Sequence, residues 1–417
     1  MALRAVGLSA DEVLQALADF KDGDVRWREG RVFSLTYHGG EDVIAVAERA
    51  YRVFSTENAL NTEAFPSLRR IQAEVVDTVI EWLGGGPDAA GFMTSGGTES
   101  ILLAVKGARE RGRAERGIET PNVVLATSAH AAFEKGCDYF GVESRRVQVG
   151  DDWRADPEAM AAAVDDNTVM IVASAPQYPQ GVIDPVAAIA AIAAERDINC
   201  HVDACMGGVT LPYLERLGYA IPPWNFSVPG VTSMSVDLHK YGYTAKGASV
   251  IAYRNKRLRS YQTYVTDNWL GGVYGSSGIL GSKSCGSMGA AWAVMNYLGD
   301  EDYLRLTAAA RRAAEHLADA IAQRPALRLR ARPDTTLVSF GAADPSALDI
   351  FAVADGLRGR GWFMDKQGPP PSVHMTMSAI HETTVADFIT DLDRVLVDSA
   401  ATTRHRSTGP ATYGTVE

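Results

Sequence analysis

The chain has 417 residues, enough for two to three domains at a typical size of about 150 residues each. Hydrophobic residues make up 46% of the chain and charged residues 22%, which excludes a disordered, collagen-like or coiled-coil protein. Acidic residues outnumber basic ones, 51 to 40, so the net charge of −11 provides no positive field that would attract nucleic-acid phosphates or anionic lipid.

Residues 1–60 are predicted to form a helical N-terminal segment. Leu14, Leu17 and Phe20 fall on one face of a helix, and the apolar spacing near residue 46 predicts a second helix. A long amphipathic helix is predicted to begin after Pro66 and to end near three consecutive glycines.

Residues 61–300 are predicted to form a large α/β domain, because short apolar runs alternate with helical stretches. The predicted strands are 91–94, 123–126, 146–149, 168–174, 199–202, 231–236 and 248–253. This alternation indicates a mostly parallel central sheet with helices on both faces.

Residues 301–398 show a different rhythm, which predicts a smaller C-terminal α+β domain. A long helix over 303–321 leads into short strands and two further helices. The tail, residues 399–417, is polar and shows no periodicity, so its residues alone predict a mobile terminus.

The sequence predicts neither a metal site nor a membrane anchor. The four cysteines form no Cys-x-x-Cys pair, and the eight histidines show no metal-ligand spacing. No stretch approaches the roughly 18 apolar residues that a membrane-spanning helix needs. Asp11 and Glu12 place charges where a signal peptide would be apolar, so we expect a cytoplasmic location.

A glycine-rich turn stands between the first predicted strand of the large domain and the helix that follows it, with the sequence Thr94-Ser95-Gly96-Gly97-Thr98-Glu99-Ser100. Glycines let backbone N–H groups approach an anion closely, and the helix N-terminus adds partial positive charge. The turn is therefore a candidate phosphate-binding site. An ordinary capped turn is the simpler interpretation of this stretch taken alone.

Three further candidates each follow a predicted strand. Asp203 would reach the crevice at the carboxyl edge of a parallel sheet, although it could equally cap a helix. Lys240, if partly dehydrated, could form a Schiff base, although a solvated lysine at a strand end is the commoner case. His130 could stack on a flat ligand or cap the helix after it.

Together, these four features fit one ligand, pyridoxal 5'-phosphate. Its phosphate must be anchored, its ring nitrogen protonated, its plane fixed and its aldehyde held as an imine. The glycine turn, Asp203, His130 and Lys240 match those four requirements in that order. The combination is far more specific than any one of its members.

The sequence also resembles the sphingosine-1-phosphate lyase family, within the pyridoxal-phosphate-dependent (group II) decarboxylases. The resemblance rests on Phe65-Pro66-Ser67, Gly85-Gly86-Pro87-Asp88, Thr94 to Ile101, Ser128-Ala129-His130-Ala131-Ala132-Phe133, Gly181-Val182-Ile183-Asp184-Pro185, His201-Val202-Asp203-Ala204-Cys205 and His239-Lys240-Tyr241-Gly242-Tyr243. It implies a fold-type-I cofactor domain and a homodimer with active sites at the subunit interface.

The resemblance also implies a role for individual residues. Lys240 resembles the imine lysine, Asp203 the partner of the ring nitrogen and His130 the stacking residue. The other implied positions are Gly97 and Thr98 in the phosphate cradle, His239 lining the cofactor, Gly281 and Ser282 reaching the neighbouring subunit's cofactor phosphate, and Tyr37, Asn58, Tyr178 and Lys246 on the substrate side. The tail around Tyr413 resembles the family's C-terminal stretch, which implies a tail that covers the active site.

Asn61 is the most informative departure from the family pattern, which usually has a histidine there that helps to bind the substrate phosphate. Hydrogen bonds from a charged imidazole to a phosphate are about twice as strong as those from a neutral amide. We therefore expect sphingosine 1-phosphate to be at best a poor substrate.

Three functions remain open on the sequence alone. The leading hypothesis is a carbon–carbon lyase that cleaves a β-hydroxy amine, phosphorylated and sphingoid-base-like or related, by a retro-aldol step to an aldehyde and an amine. Either Tyr178 or Lys246 would then serve as the acid/base. The alternatives are an L-amino-acid decarboxylase with the same cofactor and a non-catalytic binding protein of the same fold.

Overall fold

The computed structural model describes residues 3–401 and 411–412. Most of the predicted tail, including Tyr413, lies outside the described residues. No helix in the described part of the chain combines the length and the apolar character needed to cross a membrane.

Three helices precede the central sheet: α1 (Ala10–Asp19), α2 (Glu41–Val53) and α3 (Pro66–Trp82). The α1 helix begins with a capping box in which Ser9 and Glu12 bond each other's backbone N–H groups, yet it buries no residue. The α2 helix instead buries Val43 and Ala47 in the main core. The predicted helices are confirmed, but the apolar face of α1 has no cover within the described subunit.

The central sheet has seven strands in the order β1-β7-β6-β5-β4-β2-β3. Their bounds are β1 (Ala90–Thr94), β2 (Asn122–Ala126), β3 (Glu143–Val147), β4 (Thr168–Ser174), β5 (Asn199–Asp203), β6 (Ser233–Val236) and β7 (Ser249–Tyr253). Only β7 runs antiparallel to its neighbours, β1 and β6. The predicted mostly parallel sheet is confirmed.

Helices cover both faces of this sheet. They are α4 (Gly97–Arg116), α5 (Ala132–Phe140), α6 (Pro157–Ala163), α7 (Val186–Glu195) and α8 (Thr210–Arg216). On β4, Ile171 and Ala173 enter the core that α3 and α7 share, whereas Met170 and Val172 enter the core beneath α4 and α5. Because alternate side chains face opposite sides of a strand, one continuous apolar run serves two cores.

A short helix and a hairpin follow the sheet: α9 (Lys256–Ser260), β8 (Tyr264–Thr266) and β9 (Tyr274–Ser276). No strand was predicted from the sequence at this hairpin, in which Trp269, Leu270 and Val273 are exposed. The long α10 (Gly286–Ala322) then links the two parts of the molecule, with a break at Gly299, where φ is 56°. The left-handed backbone at that position favours glycine.

The smaller C-terminal part is an antiparallel sheet with two helices, as predicted. It comprises β10 (Leu327–Leu329), β11 (Leu337–Ala342), α11 (Ile350–Arg358), β12 (Asp365–Gln367), β13 (Ser372–Thr376) and α12 (His381–Ala401), with the strand order β10-β11-β13-β12. Its core also contains Phe33, which stacks on Trp362 and His381. The division of the chain at residues 60, 300 and 398 stays a prediction.

Two predicted boundaries in the sheet are wrong by a few residues. β3 lies at Glu143–Val147 rather than at 146–149, and β6 begins at Ser233 rather than at residue 231. β3 is an edge strand with no buried residue, so it has no core-facing apolar run that could mark its start.

Candidate active site

A cavity of about 300 Å³ lies at the carboxyl edge of the central sheet. Parallel α/β sheets bind their ligands at this edge, and the volume is at the lower end of the range for small-molecule sites. It is lined by these predicted site residues: Gly97, Thr98, His130, Tyr178, Asp203, His239 and Lys240. The structure therefore brings together residues that are up to 143 positions apart in the chain, since 240 − 97 = 143.

The glycine turn forms one wall. The backbone N–H and hydroxyl of Ser95 both donate to Glu99 Oε2, at 2.6 and 2.7 Å, which fixes the turn against the first turn of α4. A methyl group at Gly97 would lie 2.7 Å from Cys205 Sγ and 2.8 Å from Asp237 Oδ2. Only glycine allows the positive end of α4 to come this close to the cavity.

Asp203 is the last residue of β5 and is 8% exposed. Its Oδ1 accepts hydrogen bonds from the backbone N–H of Cys205 at 3.0 Å and from Ser235 Oγ at 3.1 Å. No residue in the described part of the chain bonds Oδ2, so that oxygen is available to a donor within the cavity. A protonated ring nitrogen is such a donor.

Lys240 forms a buried ion pair with Asp237, with 3.0 Å between Nζ and Oδ2. Asp237 comes directly after β6 and is 3% exposed. Burial alone would raise the pKa of Asp237, but the charges of Lys240 and His239 and a hydrogen bond from Ser249 outweigh it and lower the pKa to about 2. Asp237 therefore remains a carboxylate and holds the Lys240 amine at the cavity wall.

The two histidines of the cavity differ in their anchoring. His130 Nδ1 accepts the backbone N–H of Ala132 at 3.1 Å, which fixes the ring beside the start of α5. Burial lowers the pKa of His130. Burial also lowers the pKa of His239, although the negative charge of Asp237 acts in the opposite direction. An uncharged, anchored imidazole at His130 suits stacking on a flat ring.

Tyr37 and Lys246 line neither this cavity nor the second one described below, but each contacts a residue of the cavity wall. Lys246 Nζ donates to the backbone carbonyl of His239 at 3.0 Å and lies 5.0 Å from the centre of the Tyr37 ring. Tyr37 in turn contacts the sulfur of Met206, a residue of the cavity wall. Although Lys246 keeps an exposed side, burial of its ammonium group and the charge of Lys240 lower its pKa to about 8.

Tyr178 stands between the cofactor-sized cavity and a second cavity of about 570 Å³, because it lines both of them. Its hydroxyl donates to Asp365 Oδ2 at 2.7 Å, and its ring lies 4.0 Å from the ring of His374. Both partners belong to the smaller sheet, so the two parts of the molecule meet at this tyrosine.

Four further predicted site residues, Asn58, Asn61, Gly281 and Ser282, also lie outside this subunit's cavity. Asn58 Nδ2 donates to Ser282 Oγ at 2.9 Å, so the structure does join the segment of Asn58 to the loop of Gly281 and Ser282. Asn61 is exposed and accepts the backbone N–H of Glu63 at 2.9 Å. None of the four is among the described residues that line either cavity.

Three residues that the geometry places in or beside the site, Asp237, Ser235 and Asp365, were not predicted from the sequence. Asp237 had a signal, because it stands three residues before Lys240 on a tight turn. Ser235 could have been found as the neighbour of Asp203 only from the register of β5 against β6. Asp365 gave no signal, since it is 187 residues from Tyr178 and lies in a three-residue strand.

These residues fit pyridoxal phosphate on two structural observations. A glycine without room for a side chain opens a backbone cradle at a helix N-terminus, and a buried carboxylate oxygen faces the cavity without a protein donor. The amine of Lys240 and the anchored ring of His130 complete the set.

Comparison with known proteins decides the family. A family model described as the pyridoxal-dependent decarboxylase conserved domain matches residues 14–343. A sphingosine-1-phosphate lyase of Rattus norvegicus is 37% identical over 416 residues, which are 99% of this chain and 72% of the rat protein. The chain belongs to the sphingosine-1-phosphate lyase family of pyridoxal-dependent decarboxylases.

Other members of the lyase family are similar to this chain over nearly its whole length. A sphingosine-1-phosphate lyase of Arabidopsis thaliana is 38% identical over 97% of this chain and 74% of its own. The solved structure of a Burkholderia pseudomallei sphingosine-1-phosphate lyase superposes with a TM-score of 0.92 at 37% identity, covering 96% of this chain and 93% of that one. The predicted family, fold type and cofactor are confirmed: this is a pyridoxal-phosphate-dependent lyase.

Replacing Gly97 by alanine should weaken cofactor binding. The added methyl group meets Cys205 and the Asp237 carboxylate, and such overpacking costs about 1–3 kcal/mol. We expect a rise in the dissociation constant for pyridoxal phosphate of about tenfold or more. The matched control is Gly107→Ala on the same helix, where the nearest atom would lie 3.6 Å away. Equal affinities of the two variants would contradict the cradle.

Proposed function

We propose that this lyase cleaves the Cα–Cβ bond of a phosphorylated β-hydroxy amine of the sphingoid-base type, releasing an aldehyde and a phosphorylated amine. The observation that carries the proposal is the position of Tyr178, which lines the cavity together with Lys240, Asp203 and His130. A β-hydroxyl group needs a proton acceptor of this kind, whereas decarboxylation does not. The relatives' name, sphingosine-1-phosphate lyase, also supports carbon–carbon cleavage.

The cofactor would be held by residues of four different elements. Gly97 and Thr98 would bind its phosphate, Asp203 its ring nitrogen and His130 its flat face, while Lys240 would carry it as an imine. When bound, pyridoxal phosphate supplies an electron sink for the pair released by the breaking bond. Asp203 would lie beside the ring nitrogen and stabilise its positive charge.

The structure supports different roles for the two acid/base candidates. With a pKa of about 8, Lys246 is mostly protonated at neutral pH, which suits a cation that binds the substrate phosphate next to Tyr37. The hydroxyl of Tyr178 is already held by a carboxylate, which suits a proton acceptor. We therefore assign proton transfer to Tyr178 and anion binding to Lys246.

We further propose that the active unit is a homodimer. Apolar side chains are exposed on α1 and on the β8–β9 hairpin; Phe20 is 77% exposed and Val273 is 76% exposed. Gly281 and Ser282 do not line the cavity of their own subunit. Their loop directly follows the β8–β9 hairpin in the chain. A symmetric partner would cover these surfaces and receive the loop. A cytoplasmic location stays part of this proposal.

The function is tested by offering the pyridoxal-phosphate-loaded protein a phosphorylated sphingoid base and, separately, a panel of L-amino acids. We expect a long-chain aldehyde from the first and no carbon dioxide from the second. Lys240→Ala, which lacks the amine at the cavity wall, serves as the control and should release neither product. Carbon dioxide from any amino acid, with no aldehyde from the sphingoid base, would contradict the proposal.

Asn61 lies outside its own subunit's cavity, so in the proposed dimer we expect it to act at the partner's cavity, where Asn61→His should improve the use of phosphorylated substrates. A charged imidazole forms stronger hydrogen bonds to phosphate than an amide does, so we expect kcat/KM to rise by about tenfold. Asn61→Gln keeps the amide and should leave kcat/KM unchanged. An unmodified protein that already matches the Asn61→His variant on sphingosine 1-phosphate would show that Asn61 does not limit specificity.

Trp269→Asp should weaken the dimer, because it places a charge in the exposed apolar hairpin. Sedimentation should show dissociation, and cofactor affinity should fall with it because the partner's loop is lost. Tyr139→Asp changes an equally exposed aromatic residue on α5 and should leave the dimer intact. Full activity in a demonstrably monomeric preparation would overturn this arrangement.

A further inference from the structure

The contact between Tyr178 and Asp365 joins the active-site cavity to the smaller sheet. Tyr178 follows β4 of the central sheet, and Asp365 is the first residue of β12. The distance of 2.7 Å between the phenolic oxygen and Oδ2 is that of a strong hydrogen bond to a carboxylate. The ring of His374 lies 4.0 Å from the tyrosine ring and limits its movement.

The surroundings of Asp365 favour a carboxylate that can accept a proton. Ser34 Oγ donates to Oδ1 at 3.2 Å, so each carboxylate oxygen has a hydroxyl partner. Burial raises the pKa of Asp365, although the two hydroxyl groups and the charge of Arg358 act against it. His374, opposite Asp365 in the sheet register, is uncharged because burial lowers its pKa to about 3. The neighbouring Lys366 is paired with Asp355 at 2.5 Å.

The direction of this hydrogen bond determines what Tyr178 can do in the cavity. Its hydroxyl proton points to Asp365, and a phenolic oxygen can accept hydrogen bonds while it donates one. The β-hydroxyl group of a substrate in the cavity would be a donor to that oxygen. A neutral tyrosine is a poor base by itself. To accept a proton from the substrate, it must pass its own hydroxyl proton to another group.

We propose that Asp365 is a positioning residue that receives the hydroxyl proton of Tyr178 as Tyr178 takes the proton of the substrate β-hydroxyl group. This inference rests on the proposed function and deepens it. The β-oxygen loses its proton to the Tyr178 oxygen, while the Tyr178 proton moves to Asp365 Oδ2. The β-oxygen then forms the aldehyde carbonyl, and bound pyridoxal phosphate would supply the sink for the electrons of the Cα–Cβ bond. When the aldehyde has left, Tyr178 delivers the proton taken from the β-hydroxyl group to Cα, and Asp365 returns its proton to Tyr178 and becomes a carboxylate again.

The relay predicts a pH dependence of defined sign. Asp365 accepts a proton only when it is charged, so kcat falls as the pH drops through its pKa. Because burial raises that pKa, the fall begins at a higher pH than for an exposed aspartate. The charged or titratable groups facing Asp365 are Tyr178, Arg358 and His374, and His374 is already uncharged in this range.

The test compares Asp365→Asn, Asp365→Glu, Tyr178→Phe and the double variant Tyr178→Phe/Asp365→Asn, each loaded with cofactor. We expect Asp365→Asn to lower kcat by about 100-fold with little change in KM, and to lose the acid-side fall of the pH profile. Asp365→Glu should restore part of kcat. In the Tyr178→Phe background, adding Asp365→Asn should change kcat by less than about twofold, because the relay is already broken.

A readout independent of turnover is the infrared difference between the wild type and Asp365→Asn on acidification, in which the band of one additional protonated carboxyl group should appear for the wild type. Retention of wild-type kcat and pH profile by Asp365→Asn would overturn the relay. So would an equal loss of kcat from Asp365→Asn with and without Tyr178, which is what a merely structural role predicts. Aldehyde release by the wild type tests the proposed function separately, so the two failures are distinguishable.

Discussion

The buried ion pair between Asp237 and Lys240 is the interaction on which the rest of the site depends. Removing an ammonium or a carboxylate group from water costs several kcal/mol, and the pair persists only where geometry and further hydrogen bonds offset that cost. Here the separation is 3.0 Å, and Ser249 Oγ donates to the second carboxylate oxygen at 2.5 Å. Deleting one partner of such a pair typically destabilises a protein by about 3–5 kcal/mol.

The order of the strands makes this pair possible. Asp237 and Lys240 follow β6, Ser249 begins β7, and the two strands are neighbours in the sheet. The next strand, β1, ends beside them, so that α4 starts at Gly97 within contact distance of the Asp237 carboxylate. The same edge therefore carries a positive helix end and a fixed amine. The smaller sheet adds a carboxylate to this edge through Tyr178, which links substrate chemistry to the packing of the two parts.

Features that depend on a local residue pattern, such as buried strands and the residues that follow them, could be predicted from the sequence. The apolar runs of β2, β4, β5, β6 and β7 predict the sheet, because fully buried strands leave a continuous hydrophobic signal. The cofactor residues were predictable because each follows a predicted strand, and parallel strands end at one edge. By contrast, β12 has no buried residue and the hairpin's apolar side chains are exposed, so neither carries a core-facing pattern. Asp365 could be found only when the fold had brought it to Tyr178.

The central claim is that Lys240, held by Asp237, is the residue that carries pyridoxal phosphate. The most direct measurement is reduction of the cofactor-loaded protein with borohydride, followed by digestion and peptide mapping of the labelled lysine. We expect a single label on Lys240. In Lys240→Ala, both the label and the visible absorption band should be lost. A label on Lys246, or an unchanged absorption band in Lys240→Ala, would contradict it.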